Sequence, residues 1–276
     1  MLYRILCVLL CGCIGSVTSG AVMAQALAKK PLKQPKWQVG LGIGGQALPD
    51  YRGSDQRHNK FIPVPLVLYR GRYLKIDKGG ARSEIFENVR VQINLSADAS
   101  LSADSDENIA REGMPKLDSA FELGPSINVK LSGPSFNHGW GLRFPLRAVT
   151  TVGGAGVRYR GYVFNPRLVW RKPNMYHGWG LGVSAGALWG SQKYHSYYYT
   201  VLPEYATAER PEYSASAGYS GSYAKLSVKK FTEGWLLGAY IRYDNLSNAA
   251  FESSPLVKTK HYAAVGVGVG KVFKLF

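Results

Sequence analysis

The segment GWGLGVSAGALWG, residues 178–190, limits the fold of this chain more than any other stretch. Its odd-numbered positions are apolar and its even-numbered positions are mostly glycine, a period of two that is typical of a β-strand. The apolar positions begin at Trp179 and end at Trp189, ten residues later. That separation is about 33 Å along a strand, and about 25 Å once the strand is tilted. The segment therefore predicts a strand that crosses the apolar band of an outer-membrane β-barrel.

Three other segments alternate in the same way, at 89–96, 140–150 and 235–243. A soluble sandwich also alternates, so this pattern by itself leaves both architectures open. In a narrow barrel, however, glycine and polar side chains are expected on the lumen face, with tryptophans at the membrane interfaces. We predict four lumen-facing basic residues, Arg143, Arg147, Arg167 and Arg242, and five girdle residues, Trp37, Trp140, Trp179, Trp189 and Trp235.

The lengths of the connections support a barrel independently. Bacterial barrels have short periplasmic turns and longer external loops. The connections at 47–60, 100–116, 193–212 and 246–259 are long, and all four fall on one end if successive strands alternate in direction. The sequence thus predicts an all-β, single, antiparallel up-and-down transmembrane barrel of 12 strands, or of ten if two short strands merge into a loop. The strands are predicted near 37–46, 61–69, 72–77, 81–87, 89–99, 117–130, 138–150, 157–171, 177–192, 213–229, 234–245 and 260–275.

The first residues have the features of a secretory leader. Arg4 precedes an apolar stretch, ILCVLLCGCIGSV, and small residues follow where a signal peptidase cuts. We expect residues 1–24 to be a cleaved signal peptide, with 26 as the alternative end. A lipoprotein leader that uses a cysteine of LCGC is the other alternative. Residues 25–36 are then a periplasmic segment, and 37–276 form the barrel.

The chain is strongly basic, with 34 Lys and Arg against 18 Asp and Glu. An exported protein has little access to nucleic acid, so we expect outer-membrane lipids and the phosphates of lipopolysaccharide as its anionic partners. All three cysteines lie in the leader, which excludes a cysteine metal site elsewhere. The acidic loop at 100–108 has oxygen donors for a weak Ca²⁺ site, but a hydrated loop is the preferred interpretation. No metal and no cofactor are expected.

The stretch ALPDYRGSDQRH, residues 47–58, contains the residue types of a hydrolase triad in Asp50, Ser54 and His58. The glycine run before it, VGLGIGG, lacks the following helix and the glycine spacing of a nucleotide site. Pro-Asp-Tyr-x-Gly-Ser is, however, also strong turn chemistry, because proline fixes φ and Gly53 can adopt a positive φ. We therefore interpret the stretch as an external loop and predict no catalytic residues.

The same stretch carries a family resemblance. LGIGGQALPDYRGSDQRHNKFIPVPLVLYRGRYLKID resembles the N-terminal signature of the MipA/OmpV family of outer-membrane proteins. The signature loop, a candidate interaction site, corresponds to Pro49, Asp50, Tyr51, Gly53 and Ser54. The terminal Phe276 is similar to the aromatic residue that the barrel-assembly machinery reads, although Lys274 stands where a hydrophobic residue is more usual.

The resemblance implies an integral outer-membrane barrel of a Gram-negative bacterium without a family-wide enzymatic activity. The namesake branch is regarded as a scaffold that links a murein lytic transglycosylase to a peptidoglycan synthase. Other members are discussed as adhesins, antigens or porin-like proteins. Three hypotheses follow: a non-enzymatic scaffold or interaction protein of the cell envelope, a small anion-biased porin or surface adhesin, and a lipid hydrolase that uses His195 or His261 near the outer end.

Overall fold

The computed structural model describes residues 37–70, 74–77, 80–100, 108–154 and 156–274, which form 13 strands, one α-helix and two 3₁₀ turns. The strands are β1 (Trp37–Pro49), β2 (Arg57–Arg70), β3 (Leu74–Asp77), β4 (Gly80–Glu87), β5 (Val91–Ser100), β6 (Ser119–Lys130), β7 (Gly139–Gly153), β8 (Gly156–Phe164), β9 (Arg167–Tyr176), β10 (Trp179–Gly190), β11 (Gly218–Thr232), β12 (Trp235–Asn245) and β13 (His261–Lys274). Helix α1 is Gln192–Tyr199, and the 3₁₀ turns are Ile109–Arg111 and Pro203–Tyr205. The expected signal peptide, the segment 25–36, part of the acidic loop at 101–107 and Phe276 lie outside the described residues.

The strands pair antiparallel with their neighbours in sequence order. Strand β1 pairs with β2 on one side and with the last strand, β13, on the other. The pairings therefore run around the sheet and return to their start, which is how a barrel removes the exposed strand edges of an open sheet. None of the described helices is long and apolar enough to cross a membrane.

Strands β8 and β9 are two halves of one position in the sheet, separated by Asn165 and Pro166. Strand β7 pairs with β8 along one half of its length and with β9 along the other, and β10 also contacts both. Thirteen strand segments thus occupy 12 positions, because proline cannot donate a backbone hydrogen bond and interrupts the ladder. Strands β3 and β4 pair as separate strands, so the prediction of 12 strands is confirmed and the alternative of ten is not.

The alternation predicted from the sequence separates an outer apolar face from an inner face. On β13, Val265, Val267 and Val269 are 38–65% exposed, while the positions between them are glycines. Leu41 and Ile43 on β1 are exposed in the same way. Apolar side chains exposed in a continuous row are typical of a surface that contacts lipid.

The connections at the two ends of the strands differ in length, as predicted. The turns after β9 and β11 contain two residues each, His177-Gly178 and Glu233-Gly234, all with positive φ. Positive φ at both positions matches the right-handed twist of a tight hairpin. The long connections follow β1, β5, β10 and β12, and all four lie at the opposite end.

Candidate functional site

The first long loop, residues 50–56, is tightly folded. Its backbone closes with bonds from the Asp50 amide to the Gln56 carbonyl (3.2 Å) and from the Ser54 amide to the Tyr51 carbonyl (3.0 Å). Gly53 has φ 97° and its carbonyl accepts the amides of Lys258 and Thr259. The sequence interpretation of this segment as a turn agrees with this geometry, and the loop is also bound to the last long loop.

The residues of the triad-like pattern, Asp50 and Ser54 in this loop and His58 at the start of β2, hold the loop together. Asp50, buried, accepts a bond at 2.7 Å from His58 Nδ1 and another at 2.8 Å from Asn108 Nδ2. Asn108 Nδ2 also lies 2.9 Å from Ser54 Oγ, which bonds the Gln56 backbone as well. Asn108 lies 58 positions from Asp50, so no short-range pattern pointed to it.

Helix α1 brings a row of tyrosines to the same end of the barrel. Ser191 caps the helix, and its hydroxyl accepts the amide of Tyr194 at 3.4 Å. Tyr199 stacks face to face on Phe251, with ring centroids 3.6 Å apart. The Tyr199 hydroxyl donates to the Arg52 carbonyl at 2.9 Å, so the helix contacts both the first and the last long loop.

These contacts build a hydrophobic cluster from all four long connections and from Tyr262 of β13, which we call the loop plug. Its buried residues are Tyr51, Leu117, Tyr199, Val201, Ala215, Leu246, Ala249, Phe251, Leu256 and Tyr262. The Tyr51 hydroxyl donates to the Leu256 carbonyl at 2.7 Å, and burial raises the pKa of Tyr51 above its usual value, so it stays a neutral donor. Sequence reasoning missed Phe251 and Leu256, because two apolar residues in a polar loop carry no periodic signal.

A buried carboxylate joins the loop plug to the barrel wall. Asp244, near the end of β12, is 1% exposed and accepts two bonds from Arg242, at 2.6 and 2.7 Å. It also accepts one from Arg52 of the first loop at 3.2 Å. One carboxylate is therefore shared by two guanidinium groups that come from different parts of the chain, which leaves one positive charge in excess. Charge-assisted bonds of this kind are among the stronger polar contacts in proteins.

His195 of α1 is a buried, uncharged part of the plug. Its Nδ1 lies 2.6 Å from the Ser216 carbonyl, which can only accept, so Nδ1 carries the proton. Its Nε2 then accepts from the Ser220 hydroxyl at 2.6 Å. Burial lowers the pKa of His195, partly offset by the bond to Ser216, and the neutral ring is the stable form.

We expect acid to loosen the loop plug through His195. In an open plug the ring regains an ordinary pKa of about 6.5, so below that pH the open form binds protons more readily than the closed form. The open population should rise up to about tenfold per pH unit below pH 6.5 and stay constant above it. Hydrogen exchange of the α1 amides, corrected for intrinsic rates, measures this population. A His195→Asn variant should lose the pH step, whereas His261→Asn, at an exposed histidine, should keep it.

The four arginines expected in the lumen have distinct partners. Arg147, 4% exposed, bonds Glu122 at 2.8 Å and lies 3.6 Å from Asp98. Arg167 bonds Asn165 Oδ1 at 2.6 Å. Arg242 bonds Asp244, as described above, and Arg143 donates to the Phe136 carbonyl.

The tryptophans expected in the girdles lie on the exposed side of the strands. Trp140, Trp179, Trp189 and Trp235 are 37–45% exposed. The ammonium of Lys271 lies 4.7 Å from the Trp235 ring, next to one of the short turns. Trp37 begins β1. Their assignment to membrane interfaces stays a prediction.

The structure brings both histidines of the hydrolase hypothesis next to a serine. Ser220 beside His195 is 1% exposed, so a substrate has no access to that hydroxyl. His261 is exposed, with Nε2 3.5 Å from Ser247 Oγ and Nδ1 2.9 Å from the Tyr243 hydroxyl. A distance of 3.5 Å is longer than the bond that activates a nucleophile.

Comparison with known proteins decides the family. A family model described as MltA-interacting protein MipA matches residues 41–273. The chain belongs to this family. The match begins within β1, ends within β13 and includes the whole loop plug. Among curated proteins, none matches the chain.

Several solved structures are similar to this MipA-family chain in fold alone. An outer-membrane channel from Pseudomonas putida F1 is 11% identical, with a TM-score of 0.45, over 87% of this chain and 96% of that one. The CymD monoaromatic hydrocarbon channel is 10% identical, with a TM-score of 0.38, over 88% and 90%. A FadL homologue from Pseudomonas aeruginosa is 9% identical, with a TM-score of 0.36, over 87% and 90%.

The family and the architecture agree on location. This MipA-family protein is an outer-membrane β-barrel. As in other bacterial barrels, we expect its short turns to be periplasmic and its long loops, with the loop plug, to be external.

Proposed function

We propose that this MipA-family barrel is a non-enzymatic scaffold of the cell envelope that binds a murein-degrading enzyme at its periplasmic end. The observation that carries the proposal is the family match, because the family is described by its interaction with MltA. The loop plug supports the same idea. A barrel whose external loops are packed into a hydrophobic cluster is better suited to holding partners than to passing solutes.

The periplasmic end offers a basic surface for such a partner. Arg90 lies in the turn before β5, and Lys172 lies on β9 opposite Leu181, the third residue of β10. Both side chains are exposed. Complementary charge at the rim of an interface raises association rates and selects the partner more than it adds affinity.

Co-purification tests the scaffold. The full-length barrel in detergent, immobilised, is expected to retain purified MltA from the same organism. The double variant Arg90→Glu with Lys172→Glu should slow association about tenfold or more, because it reverses two charges at the periplasmic end. The matched control, Arg158→Glu with Lys258→Glu, makes the same change at exposed residues of the external end and should bind as the unmodified barrel does. No retention of MltA by the unmodified barrel, or equal loss in both variants, argues against the proposal.

A porin is the second candidate, favoured by a cavity of 820 Å³ inside the barrel. Planar-bilayer recording separates the two functions. We expect the unmodified barrel to be silent, because the loop plug closes its external end. A steady conductance in the unmodified barrel favours the porin instead.

A further inference from the structure

The barrel encloses a cavity directly beneath the loop plug. Its volume of 820 Å³ falls within the range of small-molecule sites, about 300–1,000 Å³. Tyr51, Arg52 and Tyr199 of the plug contribute to its lining at the external end. At the other end the lining reaches Leu236 and Gly270, close to the periplasmic turn after β11. A ligand would therefore enter from the periplasm.

One wall of this cavity is basic. Lys225 and Lys229 on β11 and Arg242 on β12 line it, and Asp244 is the only acidic residue in strands β8 to β13 as described. Asp244 is already shared between Arg242 and Arg52. Of the other carboxylates in the lining, Glu122 and Asp98 are within ion-pair distance of Arg147, and Asp50 is bonded to His58 and Asn108. Asp118 lies at the end of the loop before β6, away from the β11–β12 wall. The β11–β12 wall thus keeps an excess of positive charge.

The excess is concentrated at Lys225. In the register of β11 with β12, Lys225 lies directly opposite Arg242, an arrangement of like charges that destabilises a sheet. The ammonium of Lys225 lies 4.2 Å from the centroid of the Tyr240 ring. Among the described residues, no carboxylate lies within ion-pair distance of it. An aromatic ring attracts a cation but does not neutralise it.

The adjoining wall contains a row of glycines. Gly238, Gly268 and Gly44 face one another across β12, β13 and β1, because Gly268 pairs with both of the others. A methyl group added at Gly238 or Gly268 would approach its nearest neighbour no closer than 3.6 Å, so packing against those neighbours does not demand glycine there. Glycine at these positions keeps the cavity wide and lets a ligand lie against the backbone.

We infer that this cavity binds a small organic anion from the periplasm. Its acidic group lies between Lys225 and Arg242, where it neutralises the opposed charges. Its apolar body lies along the glycine row, next to the Tyr240 ring. Charge-assisted bonds to two cations in a partly enclosed space contribute affinity, and the glycine row leaves room for the apolar body of the ligand.

Calorimetry on the full-length barrel in detergent tests the site, with phenyl phosphate as the probe. We expect one molecule to bind per barrel, inorganic phosphate to bind more weakly because it lacks the ring, and uncharged benzyl alcohol not to bind. Lys225→Gln should weaken phenyl phosphate about tenfold, the loss of one charge-assisted contact. Lys230→Gln makes the same change on the same strand, at a half-buried residue that lies 5.9 Å from the Trp179 ring and is not part of the cavity lining, and should alter affinity less than twofold.

Three results would overturn the inference: no binding of phenyl phosphate, equal binding of benzyl alcohol, or the same loss in both lysine variants. If Lys225→Gln fails to fold, acetylation of the unmodified barrel replaces it. Phenyl phosphate should then slow acetylation of Lys225 about tenfold and leave Lys230 unaffected, as quantified by mass spectrometry. Equal rates at Lys225 with and without phenyl phosphate contradict the site.

Discussion

Phe251→Ala is expected to convert a silent barrel into one that conducts. Phe251 is fully buried, stacks on Tyr199 at 3.6 Å and meets the edge of His195 at 4.8 Å. Removing a buried phenylalanine costs about 3–5 kcal/mol through lost burial and the cavity left behind. In a plug made of loops, that loss favours the open form by a factor of about 10² to 4 × 10³. Planar-bilayer recording should show repeated openings where the unmodified barrel shows none.

A matched control separates plug opening from general damage. Phe121→Ala removes the same ring from the outer face of β6, where the side chain is 46% exposed. It should leave the barrel silent, because it touches no residue of the loop plug. Limited proteolysis supplies a second readout, with new cuts expected in the loops at 193–212 and 246–259 of Phe251→Ala alone. Silence together with unchanged proteolysis in Phe251→Ala would show that this stack does not hold the plug closed.

The sequence predicted the barrel well because a strand that faces lipid on one side must alternate. The period of two in 178–190 and the lengths of the connections were enough for 12 strands, the position of the four long loops and their common end. The break at Asn165 and Pro166 was not predicted. The apolar alternation on either side of it is continuous, since both halves occupy one strand position and face the same surfaces.

The candidate site was predicted less completely, for a physical reason. Asp50, Ser54 and His58 were considered as the residue types of a hydrolase triad. In the structure, Asp50 and Ser54 both bond Asn108, which is distant in the sequence. The charge excess at Lys225 depends on register, which places it opposite Arg242. Neither pattern is periodic, and contacts between distant loops leave no local signal. Arg242 was expected in the lumen, whereas the carboxylate shared with Arg52 was not.

Asp244→Asn is expected to release the first external loop. The change keeps the size of the side chain but leaves Arg52 and Arg242 without their shared carboxylate. Breaking a buried ion pair from one side costs about 3–5 kcal/mol, because the remaining charges stay desolvated. Arg52 connects residues 50–56 to Asp244 of β12 and to the Tyr262 hydroxyl of β13, so this loop should loosen first when the carboxylate is lost. Trypsin should then cut after Arg52 and Arg57 at least about tenfold faster than in the unmodified barrel.

Asp98→Asn makes the same chemical change at an exposed carboxylate, while Arg147 keeps Glu122 as a partner. Asp98 lies 3.6 Å from Arg147, and its side chain is 62% exposed. Because water screens such a pair, its loss should cost less than about 1 kcal/mol and leave cleavage after Arg52 unchanged. If both variants are cut equally fast, the total charge inside the barrel holds the loop, and the specific ion pair at Asp244 does not. If Asp244→Asn resists trypsin as the unmodified barrel does, the aromatic cluster alone holds the loop, and the shared carboxylate serves only to balance Arg242 beside the cavity.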